Sequence, residues 1–267
     1  MKKLIMMAVM LTTTVCASAQ SDSDPVNAYF TTGEMPDMIK WCPAPPDTIG
    51  AAFAYDIMQY MWGKQMRNDK ERADIAIRDA VYGLDCIIRE FSEPFGLQIS
   101  KEETPEIYKV LRDGTATCDS ICTLPKKYYM RKRPFMRFKE HTLTPDDEPS
   151  LSKNGSYPSG HTLLGWSSAL LLSEINPDRA DTILARGLMY GDSRIIVGAH
   201  WQSDVNAARL AAAAAYAKLH TSERFLEQMR LARQEFRCKM GLATIVEMKA
   251  YQKEAKKRAK AKKVALR

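Results

Sequence analysis

Two apolar stretches, residues 163–172 and 207–217, set the terms on which this chain can fold. Both have the length of a buried core helix, and neither approaches the run of about 18 apolar residues that a membrane span needs. The second is so rich in alanine that propensity alone makes it helical. Elsewhere no sustained period-two alternation appears, and no internal repeat. The chain is therefore read as all-α, with its core built on two apolar helices.

Further helices follow from local signals. One is expected from Thr48, capped by Asp47, to Trp62 and Gly63. A second is expected over residues 71–91, where Ile77, Ala80, Val81, Leu84, Ile87, Ile88 and Phe91 fall on one face of a 3.6-residue period, with Pro94 and Gly96 as the stop. Thr104-Pro105-Glu106 opens a helix through Leu111, and Asn176-Pro177-Asp178 opens another through Met189. Residues 222–240 form one more. The segment 20–46, rich in Asp, Pro, Thr and Ser, reads as an irregular arm.

The chain opens Met1-Lys2-Lys3, an apolar run from Leu4 to Cys16, and then Ala17-Ser18-Ala19. This is the pattern of a secretory signal peptide cleaved after Ala19, which places the protein in the periplasm or outside the cell. Export implies an oxidising compartment. Five cysteines follow the leader (Cys42, Cys86, Cys118, Cys122 and Cys238), an odd number too sparse for a disulfide scaffold. Cys118 and Cys122 have the spacing to close a small local loop. No second Cys/His cluster accompanies them, so no metal site is expected.

The net charge of +7 is not a property of the body. Residues 249–267 hold seven Lys and two Arg against one Glu, a net of +8, and the leader holds +2. Without them the body of residues 20–248 lies near −3. The tail reads as a solvated, fraying helix end, with binding to the acidic cell envelope or to nucleic acid as the alternative.

Three short motifs carry chemistry only in combination. Lys126 stands seven residues before Arg133-Pro134, in a basic run that alone would be ordinary surface. Pro158-Ser159-Gly160-His161, ahead of an apolar run, describes a helix start, whose free N–H groups and positive dipole end favour an anion. Ser193-Arg194, five residues, His200 and then Asp204 place a histidine and a carboxylate four apart where a helix begins, so that they can meet. Such a carboxylate fixes the imidazole tautomer and leaves the other ring nitrogen as a nucleophile. His141 and His220 fall outside the motifs.

In order and spacing the three resemble the three-part signature of the type 2 phosphatidic acid phosphatase superfamily, which includes the vanadium haloperoxidases. The strings from Gly155 to Thr162 and from His200 to Val205 are similar to those of its bacterial class A non-specific acid phosphatases, and the similarity spans roughly residues 47–220. The resemblance implies a single helical-bundle domain over residues 47–248. It also implies hydrolysis of phosphate monoesters of broad range through a phosphohistidine. Lys126, Arg133, Arg194, Ser159 and Gly160 would hold the phosphate. His200 would be the nucleophile, Asp204 its orienting carboxylate, and His161 the acid and then the base.

The same resemblance implies no cofactor, with vanadate as an inhibitor, and small phosphomonoesters as partners. It requires no nucleic acid, implies no membrane span and admits a homo-oligomer. Three alternatives stand beside it. A vanadate-dependent haloperoxidase would use nearly the same cradle, a soluble lipid-phosphate phosphatase would take a lipid head group, and a non-catalytic phosphate-binding protein would need only the cations and the helix end.

Overall fold

The computed structural model describes residues 25–265, so the expected leader lies outside the described residues. Among the described residues there is no strand. The described residues form nine longer helices: α1 (Ala51–Met66), α2 (Lys70–Arg78), α3 (Leu84–Phe95), α4 (Pro105–Asp119), α5 (Gly160–Ile175), α6 (Ala180–Val197), α7 (Gln202–Leu219), α8 (Glu223–Lys239) and α9 (Ile245–Ala265). Shorter helical turns fill the connections. The chain is all-α, and no described helix is long and apolar enough to cross a membrane.

Helix α5 is the axis of the bundle, with α3, α4, α6, α7 and α8 packed round it. That is why residues 163–172 are apolar without a clear polar face: Leu163, Ala169, Leu171 and Leu172 are fully buried. The alanines of α7 at 207, 208, 211, 212 and 215 are buried too, and their small side chains let its backbone approach α5. At Gly165 a Cβ atom would lie 2.4 Å from the Tyr190 ring, so α5 and α6 can meet this closely only over glycine. Truncating Leu171 in such a core costs about 2–5 kcal/mol.

The structure differs from the local signals in instructive places. The helix expected over residues 71–91 is two, α2 and α3, broken at Gly83, whose φ of +134° no L side chain adopts readily. The apolar period runs across the break unaltered, but Val81 and Tyr82 lie in the turn and are half exposed. Pro94 sits inside α3, and Gly96 in the left-handed region closes it. Helix α1 starts after Gly50 rather than at Thr48 and runs on to Met66, α4 runs on to Asp119, and α6 runs on to Val197. Burial against α5 and its neighbours carries these helices past the point where local signals fade.

The arm is strapped to the bundle. The Asn27 and Tyr29 amides donate to Asp113 and Thr117 of α4 at 2.9 Å, and Tyr29 packs edge-on against Phe225. Short turns at Thr32–Glu34 and Met38–Trp41 bury Met35 and Met38. The loop-closing bond considered for Cys118 and Cys122 is absent: all five described cysteines are free thiols. Burial among apolar neighbours pushes the thiols of Cys118 and Cys122 up, so they behave as small core residues.

Candidate active site

Three helix ends converge at one place. Ser159 caps the start of α5, and its backbone N–H donates to the Asp204 carbonyl in the first turn of α7 at 3.1 Å. Helix α6 ends at Gly198, in the left-handed region (φ +91°), which folds the chain back so that the Ala199 and His200 amides both donate to the Arg194 carbonyl. That closure sets His200 between the end of α6 and the start of α7.

The predicted cations meet here. Arg133 is almost wholly buried, and its guanidinium donates to the carbonyls of Leu151 (2.8 Å) and Ala199 (3.0 Å) and lies 3.0 Å from His200 Nε2. Lys126 donates to the Gly155 carbonyl at 3.1 Å. Arg194 is fully buried, and among the described residues none of its three guanidinium nitrogens has a hydrogen-bond partner. A buried cation left so is costly, and a fold keeps one only where something else supplies the partner. Burial pushes Lys126 down to about 8 and Arg133 and Arg194 down to about 10, so all three remain predominantly cationic at neutral pH.

These groups border two cavities. One, of about 410 Å³, is lined by Lys126, Arg133, Gly160, His161 and His200, and the other, of about 610 Å³, by His161 and Arg194. Ser159 lines neither. Its hydroxyl accepts from the Thr162 amide and hydroxyl, which leaves its own hydrogen free to donate.

Because a guanidinium only donates, His200 Nε2 is an acceptor and the ring carries its proton on Nδ1. Nδ1 lies 3.3 Å from the Ser156 hydroxyl and 3.4 Å from the Asp204 carboxylate, while Ser156 donates to that carboxylate at 2.5 Å. His161 Nε2 lies 2.9 Å from the Ala80 carbonyl, which fixes its proton there and leaves Nδ1 as the basic nitrogen. Both imidazoles are held well below their ordinary range. Burial is the first cause for each, followed by Arg194 for His161 and Arg133 for His200. With no anion in the site, both are neutral.

The model of the PAP2 superfamily matches residues 114–224, a segment that holds every residue of the predicted set. A non-specific acid phosphatase of Providencia stuartii is 40% identical over 244 residues, 88% of this chain and 98% of that protein. The chain belongs to the PAP2 superfamily. A non-specific acid phosphatase of Salmonella typhimurium is also 40% identical, over 76% of this chain and 81% of its own. An acid phosphatase of Zymomonas mobilis is 36% identical over 72% of this chain and 73% of its own.

The PAP2 site contains residues that motif reasoning passed over. Arg131 bridges Asp204 (2.6 Å) and the buried Asp56 (2.7 Å), and Asp56 also accepts from the Ser203 amide and hydroxyl. Asp204 further accepts from the Trp201 amide at 2.9 Å, so its orientation is fixed from three sides. Arg131 was visible in sequence only as one cation in a basic run, and Asp56 as one polar residue in α1. Tyr82 packs edge-on to His161, and both Tyr82 and Asp119, whose carboxyl burial pushes up, line the cavity with Lys126. His141 is exposed and paired with Glu148, His220 is paired with Glu174, and neither lines either cavity.

Proposed function

We propose that this PAP2 protein is an exported acid phosphatase that hydrolyses phosphate monoesters of broad range through a phosphohistidine at His200. The observation that carries the reading is the buried, partnerless guanidinium of Arg194, placed with Arg133, Lys126 and the start of α5 around His200. Three cations exceed the charge of a phosphate dianion, and the surplus suits the charge that spreads over the equatorial oxygens during transfer. The names and coverage of the relatives support a phosphatase.

His200 Nε2 attacks phosphorus as the bond to the ester oxygen breaks, and Asp204 and Ser156 receive the charge that develops on the ring through Nδ1. His161 gives its proton to the leaving alkoxide. It then takes one from the water that attacks the phosphohistidine, which releases phosphate and restores both rings. His161 needs a proton for the first step, and the anion-free site denies it one. A bound dianion offsets Arg194 and Arg133 and restores the proton affinity, so substrate binding and protonation are coupled, and mild acid favours both.

Among the described residues no group of three or more His, Cys, Asp or Glu side chains comes together as a metal site would need. The leader of residues 1–19 supports export. The test is turnover of p-nitrophenyl phosphate, with and without EDTA, beside halide oxidation with added vanadate. Phosphatase activity that survives chelation and is inhibited by vanadate supports the reading. Halide oxidation without phosphatase activity, or activity abolished by EDTA and restored by a divalent metal, overturns it.

A further inference from the structure

Helix α9 sorts its charges by face. Glu247 pairs with Arg237 (3.6 Å), and Glu254 with Arg230 (3.2 Å) and Arg258 (3.5 Å). Tyr251 donates to the buried Glu235 of α8 at 2.8 Å, and Arg258 reaches Glu106 of α4 at 3.5 Å. Positions 247, 251, 254 and 258 recur at helical spacing, so they define the inward face. Lys249, Lys253, Lys256, Lys257 and Lys260 are all exposed on the opposite side. At 3.6 residues per turn they fall within a sector of about 100° along about 17 Å of helix. Among the described residues none of the five has an ion-pair partner.

The stripe has an apolar end. Leu242, Ile245 and Val246 are 54%, 68% and 77% exposed, and the last two precede Lys249 by one helical turn on its own side. Five unpaired cations beside three exposed aliphatic side chains match an interfacial helix, with lysines at headgroup phosphates and apolar groups at the acyl boundary. We propose that this face of α9 docks the enzyme on a membrane of anionic phospholipid. Nucleic acid fits the surface less well. The one aromatic residue of α9, Tyr251, is turned inward onto Glu235, so the stripe offers no stacking platform, and a polyphosphate gives the aliphatic cluster nothing to bury against. The body near −3 is itself repelled by such a membrane, which confines contact to α9 and makes it sensitive to salt.

The test uses the protein as exported by an expressing cell and co-sedimentation with vesicles of phosphatidylcholine, alone or with phosphatidylglycerol added. The wild type should partition onto the anionic vesicles at low salt and leave them at high salt. Each lysine near the surface contributes roughly fivefold. Replacing all five by glutamine should therefore lower partitioning by at least about a hundredfold. Replacing Leu242, Ile245 and Val246 by asparagine should weaken binding less and leave its salt dependence in place. Both variants should turn over a soluble ester like the wild type, which checks folding and separates this proposal from the assignment of the active site. Equal binding to neutral vesicles, no binding at all, or an unchanged five-lysine variant would overturn it. So would displacement by DNA at a phosphate concentration no higher than that of the vesicles.

Discussion

Arg194→Met should make the anion-free protein more stable while disabling it. The wild-type guanidinium is fully buried with no hydrogen-bond partner among the described residues, and burial is the main cause of its fall to about 10. That fall corresponds to about 3 kcal/mol of unfavourable charge burial. Methionine keeps most of the aliphatic length, and imperfect repacking costs about 1 kcal/mol. The net gain of about 2 kcal/mol should raise the melting temperature by about 4–8 °C in a chain of this size. Added phosphate should reverse the order. At a hundredfold excess over Kd the wild type gains about 2.7 kcal/mol, and the variant, lacking a principal ligand, gains little. Turnover of p-nitrophenyl phosphate should fall by a hundredfold or more. Thermal unfolding of both proteins, with and without phosphate, tests all of this. A variant that melts below the wild type in anion-free buffer, or that keeps the full response to phosphate, refutes the reading of Arg194 as a cation waiting for an anion.

Lys126, pushed down to about 8, carries its charge below that pH, so kcat/KM should fall as pH rises through about 8. In Lys126→Arg that alkaline limb should move to higher pH, and an unmoved limb would assign it to another group. His161 and His200 are held neutral in the fold, whereas the unfolded chain takes up protons below about 6.5. Stability should therefore fall as pH drops from 6.5. Sulfate, a dianion throughout, should restore more stability at pH 5 than at pH 7, as read from urea midpoints. Ser156→Ala leaves His200 Nδ1 only the 3.4 Å contact with Asp204. Losing a hydrogen bond to a charged group costs about 1.5 kcal/mol, so kcat should drop roughly tenfold with KM unchanged.

What could be read from sequence divides along physical lines. The bundle's central helix was legible because apolarity without a polar face has one explanation in a chain of this kind, and the burial of Leu163, Leu171 and Leu172 bears it out. The break at Gly83 was not, because the residues on both sides continue one apolar period and only a single glycine marks the turn. Yet the break positions the Ala80 carbonyl against His161 and Tyr82 at the cavity. The conjunction of Lys126, Arg133, Gly160, Arg194 and His200 was carried by spacing within three short segments, which the fold draws together at three helix ends. Arg131, Asp56 and Ser156 escaped because their importance lies in hydrogen bonds between distant segments, which residue type and local spacing do not encode. The all-lysine outer face of α9 was concealed for a similar reason: composition counts the tail's charges, but only the helix shows which of them are paired inward and which are exposed.

The most direct measurement is to quench the enzyme during turnover of a phosphomonoester under conditions that preserve phosphoramidates, and to map the modified peptide by mass spectrometry. The wild type should carry one phosphoryl group on His200. His161→Ala should accumulate more of it, with an activated ester whose departure needs no acid, because hydrolysis of the intermediate loses its base. His200→Ala should carry none. A phosphoryl group on any other residue, or a normal yield in His200→Ala, would contradict the account.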